Sequence, residues 1–128
     1  MRQNTKIETY FKYPTHAGLL DASQSNVRTA LVGTMQQGAV IGLQIQLDDV
    51  QCIRKARFKA YGCAATIAVA EYVCQWLEGK NLEQLTQLSS NDLAQALELP
   101  SVKVHSSILA VQALRALAVA QLSSASAA

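Results

Sequence analysis

The sequence predicts an α+β domain: a three-stranded antiparallel meander with helices packed on one face. Three observations predict it. Leu43-Gln44-Ile45-Gln46-Leu47 alternates strictly, apolar on one side and Gln on the other, which is the two-residue period of a strand. From about Cys52 to Ala60 the same period returns, with Cys52, Ala56, Phe58 and Ala60 directed one way and Lys55, Arg57 and Lys59 the other. From Ala64 the spacing changes to three and four, through Ile67, Ala70, Cys74 and Leu77, which is the stripe of a helix. Strands first and helices after give helices on one face of a small antiparallel sheet, the other face being wet.

The elements follow in order. Lys6 to Tyr13 predicts a short helix that Pro14 stops. Thr15 to Asn26, rich in Gly, Ser, Asp and Asn, reads as a loop. Val27 to Gly33 is the first strand, Leu43 to Leu47 the second, and Asp48-Asp49 a tight turn, because Asp side chains bond locally to turn backbone. Cys52 to Ala60 is the third strand. The helix from Ala64 to Glu78 ends where Gly79 can take the left-handed conformation of a helix stop. Asn81 to Leu88 and Ser89 to Leu97 predict two short helices, the second capped by Ser90 or Asn91. Pro100 separates these from a last helix over about Lys103 to Leu122, rich in Ala, Leu and Val. Ser123 to Ala128 reads as a flexible Ser/Ala tail, leaving 1–122 as a single domain.

Composition narrows the function classes. Half of the 128 residues are hydrophobic and 16% are charged, the mark of a folded chain with one core. A formal charge of +2 gives no ground for nucleic-acid binding. No apolar run reaches membrane-spanning length and the N-terminus has no signal-peptide core, so the expected compartment is the cytoplasm. Three cysteines, an odd count, do not suggest a disulfide framework.

Two side chains stand out as chemical groups. Cys63 follows Gly62 at a strand-to-helix turn, where backbone N–H groups can stabilise a thiolate. His105 lies at the start of the last helix. Cys52 reads as a strand residue on the apolar face. Cys74 lies eleven residues into the helix after Cys63, roughly 15 Å away along the axis, too far to share one ion with it. The Lys55, Arg57 and Lys59 stripe reads first as a solvated face and second as a docking patch for an acidic partner. Leu99-Pro100-Ser101-Val102-Lys103 reads as a short extended linker, and its exposed apolar and Lys side chains suit a peptide-groove partner.

Ala56-Arg57-Phe58-Lys59-Ala60-Tyr61-Gly62-Cys63-Ala64 and the run from Leu97 to Ala110, with Glu78-Gly79-Lys80-Asn81-Leu82 between them, resemble the U-type iron–sulfur cluster scaffold family, which contains IscU and the N-terminal domain of NifU. The resemblance extends from about Ile7 to Leu122. It implies a protein of iron–sulfur cluster assembly, not an enzyme. Family members hold a nascent cluster between three cysteines beside an aspartate and a histidine. On this resemblance Cys63 and His105 are retained, while Gln37, Ala39 and Ser106 stand at the first Cys, the Asp and the third Cys. A [2Fe–2S] cluster takes four protein ligands, mostly thiolates, and an amide or a neutral hydroxyl is a poor replacement.

The resemblance also implies partners. The family's Leu-Pro-Pro-Val-Lys segment is recognised by an Hsp70-type chaperone, and here Leu99, Pro100, Val102 and Lys103 keep four of its five positions. A cysteine desulfurase docks near the family's cysteines, which makes Cys63 a candidate persulfide acceptor. Two chains pairing Cys63 and His105 would offer two thiolates and two imidazoles, a set that suits zinc or a Rieske-like cluster. The expected cofactor is therefore a 2Fe-2S cluster, iron or zinc at a weakened or dimer-shared site, or none. The alternative is a non-catalytic interaction or regulatory protein that binds a desulfurase or chaperone without carrying a cluster. A thiol enzyme with Cys63 as nucleophile and His105 as base ranks last, since no oxyanion arrangement is legible.

Overall fold

Alternation in three consecutive segments builds the sheet, and the sheet decides where every helix goes. The computed structural model describes residues 5–21 and 23–127, with side chains described in that range except at positions 5, 102 and 119–127. The order is α1 (Thr5–Lys12), β1 (Val27–Thr34), β2 (Ala39–Leu47), β3 (Ile53–Tyr61), α2 (Ala64–Leu77), α3 (Ser90–Ala96) and α4 (Val104–Ala127). Short 3-10 turns occupy Leu82–Thr86 and Ser101–Lys103. The expected Ser/Ala tail falls where side chains lie outside the described residues.

The sheet is the expected antiparallel meander, ordered β1-β2-β3. Ala30, Leu43 and Phe58 lie side by side across it, as do Val32, Ile41 and Ala60. These point to the helices, and Ile41, Leu43 and Ile45 are fully buried. α2 packs on β3, α4 crosses β1 and β2, and α1 lies on α2. The last contact includes an edge-to-face pair of Tyr10 and Tyr72, with centroids 5.8 Å apart. Because α2 is covered on two sides, its burial includes Ala65, Ala68, Val69, Ala70, Val73, Cys74 and Leu77, well beyond a single stripe.

Several sequence expectations are corrected. The register shifts between Gln46 and Leu47, so that Leu47 pairs with Ile53 and Gln46 with Lys55, leaving Arg54 as the extra residue of a bulge. Strict alternation fails there. Ile53 takes the core position, and Cys52 is half-buried in a bridge to Asn81 instead of sharing the core face. The cap of α3 is Ser89, not Ser90 or Asn91: its hydroxyl accepts from the Asp92 N–H while the Asp92 carboxylate accepts from the Ser89 N–H.

The outer face of the sheet is less wet than alternation predicts. Gln44 is buried there, accepting from the Leu20 N–H at 2.6 Å and donating to the Thr29 hydroxyl at 3.2 Å. Exposed Leu19, Leu31, Met35 and Tyr61 line a groove of about 730 Å³ on that face. Arg57 leaves the cationic stripe to bond Glu78 at 3.2 Å, while Lys55 and Lys59 stay as read. The loop expected from Thr15 also has structure: Ala17 bridges Phe58, covering the outer edge of β3. Among the described residues no helix is long and apolar enough to cross a membrane.

Two positions on opposite faces of the sheet calibrate this packing. Leu43→Ala, at a fully buried site, should cost about 2–5 kcal/mol in urea unfolding. Leu31→Ala, at a side chain 73% exposed, should stay within about 0.5 kcal/mol of the parent.

Candidate functional site

The candidate residues lie on three chain segments that converge. The first is the turn between β1 and β2, Met35 to Gly38. It is closed by Gln37 donating its N–H to the Thr34 carbonyl at 3.1 Å and by the Gly38 N–H on the Met35 carbonyl at 3.0 Å. The second is the junction of β3 and α2. Gly62 has φ +147, and a β-carbon there would meet the Thr66 hydroxyl oxygen at 2.9 Å and the Gly38 carbonyl oxygen at 3.2 Å. Only glycine allows this approach, and it sets the β1–β2 turn against the start of α2. The third is the first turn of α4, where Ser106 and Ser107 are fully buried and His105 is exposed.

Cys63 is the cap residue of α2, with extended backbone at φ −74 and ψ 173. Its thiol is half-buried and free. Burial alone would push the thiol up in pKa. The N–H and hydroxyl of Thr66, the N–H of Ala65 and the charge of Lys103 outweigh that and hold it below the ordinary thiol range. Cys74 shows the opposite balance. Buried between Glu71 and Glu78, it is pushed far above the ordinary thiol range and is chemically inert. Its expected structural role fits that environment.

Thr66 ties the site together, and sequence reading passed it over. Its hydroxyl lies 3.7 Å from the Cys63 sulfur and 3.3 Å from the Ser106 hydroxyl. The signal was present as a hydroxyl three residues after a helix-start cysteine, the spacing at which a side chain faces the cap. Through Thr66 the structure brings Cys63 and Ser106 to one end of the molecule, with His105 next along the chain. His105 lines a small cleft with Gln37, Ala39, Ile108, Leu109 and Gln112, and among the described residues no carboxylate joins it there. Among the described residues no group of three or more His, Cys, Asp or Glu side chains is arranged to hold a metal ion.

Leu99 to Lys103 is not the extended peptide expected. Pro100 is extended at φ −65 and ψ 155, but Ser101–Lys103 is wound into a 3-10 turn, closed by the Lys103 N–H on the Pro100 carbonyl at 2.8 Å. Pro100 acts as the cap of that turn, so its fixed φ starts the coil instead of prolonging an extended run. Leu99 packs against the core while Pro100 and Ser101 are exposed, and the Val102 side chain lies outside the described residues. Lys103 is half-buried and is the cation whose charge reaches Cys63.

Comparison with known proteins gives the family. The family model for the NifU-like N-terminal domain matches residues 2–127. The chain is 41% identical to the iron–sulfur cluster assembly scaffold protein IscU of Haemophilus influenzae, over 91% of this chain and 92% of that protein. It is 39% identical to IscU of Escherichia coli K12, over 91% of each chain. Among solved structures, a candidate iron–sulfur cluster assembly scaffold protein for the SUF system from Fervidobacterium islandicum superposes with a TM-score of 0.71 at 15% identity, over 91% of this chain and 96% of that one. The N-terminal NifU-like protein of Brucella abortus gives 0.60 at 12%, over 89% and 92%. At those identities the structural matches speak for the fold. The fold, the full-length family match and the close sequence relatives agree: this chain belongs to the NifU-like N-terminal domain family, the U-type scaffolds.

Proposed function

We propose that the chain works in iron–sulfur cluster assembly as a scaffold-family protein whose ligand set has thinned to Cys63 and His105. The observation that carries this reading is the environment of Cys63. A thiol at a helix start, acidified by Thr66, Ala65 and Lys103, is the soft donor that iron, zinc or a transferred sulfur atom requires. The relatives' names, iron–sulfur cluster assembly scaffold proteins, support it. Gln37 and Ala39 beside His105 add no anionic donor, and the Ser106 hydroxyl is turned into the protein toward Thr66. A single chain therefore offers too few ligands for a cluster, and two chains joining Cys63 and His105 supply the two thiolates and two imidazoles of a zinc or Rieske-like site. The cellular setting in this reading is the cytoplasm, and the partners are a cysteine desulfurase, for which Cys63 is the persulfide acceptor, and an Hsp70-type chaperone at Leu99, Pro100, Val102 and Lys103.

A second reading draws on the same buried Ser106. A protein that binds a desulfurase or chaperone without carrying a cluster needs the family's shape and not its ligands. Retention of a desulfurase by Cys63→Ser in co-purification favours this reading, and loss of the interaction favours the thiol.

Two measurements test the leading reading. Wild type and Cys63→Ala are reconstituted without air with iron and sulfide, separated by size and analysed for metal and visible absorption. Metal confined to a dimer and lost in the variant is expected. A coloured cluster on the wild-type monomer would sink the shared-site model, and a metal-free dimer would leave the second reading. Separately, native protein is alkylated with iodoacetamide near neutral pH and the peptides are weighed. Cys63 should react first and Cys74 only after unfolding, and Thr66→Ala should slow Cys63 by raising its pKa.

A further inference from the structure

Away from the Cys63 end lies a part-buried ionic cluster that the scaffold reading does not use. His16 sits between the Glu71 carboxylate of α2 and the Glu78 carboxylate at its C-cap, with Nδ1 2.7 Å from Glu71 Oε2 and Nε2 2.9 Å from Glu78 Oε1. The Glu71 side chain has no exposed surface. Its oxygens also accept from the His16 backbone N–H at 2.8 Å, the Thr15 hydroxyl at 3.1 Å and the Gln75 amide at 2.8 Å. Every one of these neighbours can donate, which is the pattern of a carboxylate. A neutral imidazole has one N–H and one lone pair. In either tautomer it would turn that lone pair on a carboxylate oxygen. Only the imidazolium donates to both.

The same residue closes the sheet. The His16 carbonyl accepts the Phe58 N–H at 3.0 Å, and the Gly18 N–H donates to the Phe58 carbonyl at 2.9 Å. Thr15 to Gly18 thus lies along the outer edge of β3, and Glu78 continues the cover by accepting the Ala56 N–H at 3.0 Å. Without the ring's charge, whichever of Glu71 and Glu78 the tautomer leaves without an N–H would face a lone pair, a state that favours moving the segment away so that water can reach that carboxylate.

We propose that Thr15 to Gly18 is a pH-gated cover on the β3 edge, latched by the His16 imidazolium between Glu71 and Glu78. Deprotonation gives the ring's second proton to solvent and releases the segment. The groups facing the ring are Glu71 of α2, Glu78 at its C-cap and the Thr15 hydroxyl. Behind them stand Arg57 of β3, bonded to Glu78 at 3.2 Å, and the neutral Cys74 thiol. Burial alone would lower the His16 pKa, but the hydrogen bonds and charges of Glu78 and Glu71 raise it above 6.5. A raised folded value means that the latch contributes fully below the unfolded value and is lost as pH rises through the folded one. Glu78 sets the acid limit. Burial would raise its pKa, yet the Ala56 N–H, His16 and Arg57 hold it below the usual carboxylate range, so its share is lost only as pH falls through that lowered value. Released, the edge offers the Phe58 N–H and carbonyl for pairing with another strand.

The test is amide exchange by NMR on the full chain, corrected for the intrinsic rate, from roughly pH 5.5 to 9, with the His16 ring nitrogens followed in parallel. Protection of Phe58 and Gly18 should fall by up to about tenfold per pH unit between the unfolded and folded His16 values, and level off as pH passes the titration of the folded ring. Leu43, in the middle of β2, should keep its protection. His16→Gln, which fold permitting cannot carry the charge, should show no such dependence. A flat Phe58 profile in the wild type, a loss of protection that continues above the titration of the folded ring, a slope that persists in His16→Gln, or Leu43 opening in parallel overturns the latch. If the variant does not fold, the wild-type comparison of ring and amides decides alone.

Discussion

The backbone contact at Gly62 is the constraint on which the functional end depends. A β-carbon at this position would run into the Gly38 carbonyl and the Thr66 hydroxyl, so the β1–β2 turn and the start of α2 can close on each other only here. The cap of α2 places the Cys63 sulfur beside Thr66, and the hydroxyl of Thr66 carries the connection to Ser106 on α4. The candidate site is therefore a junction of three segments distant in sequence.

Much of the fold was legible because burial on one face forces alternation. Leu43 to Leu47 announced a strand with a dry side, and the change of spacing at Ala64 announced a helix. The bulge at Arg54 was not legible, since one extra residue flips the pattern without leaving a mark in hydrophobicity, and so Cys52 was given the place that Ile53 takes. Gln44 was read as wet because polarity is a good guide only until another segment folds over it. The partnership of His16 with Glu71 and Glu78 was also out of reach. A histidine in a loop and two glutamates on a helix carry no spacing signal when more than fifty positions separate them.

The site was more legible than its chemistry. Cys63 at a helix start was readable as an acidic thiol, and its cap position bears that out. Thr66 was missed although its role follows from elementary helix geometry. The expectation that Gln37, Ala39 and Ser106 stand where donors would be came only from the family resemblance, because an amide, a methyl and a hydroxyl announce nothing by themselves. The structure adds the direction of Ser106: its oxygen belongs to the buried hydrogen bonding of α2 and α4, not to an open coordination sphere.

The wound segment Ser101–Lys103 joins two matters that the sequence keeps separate. Lys103 is the last residue of the stretch that resembles a chaperone epitope, and it is also the cation whose field lowers the pKa of the Cys63 thiol. Were this turn unwound, the Cys63 thiol would lose the weakest of the influences that acidify it, while the Thr66 and Ala65 donors, fixed in α2, would stay in place.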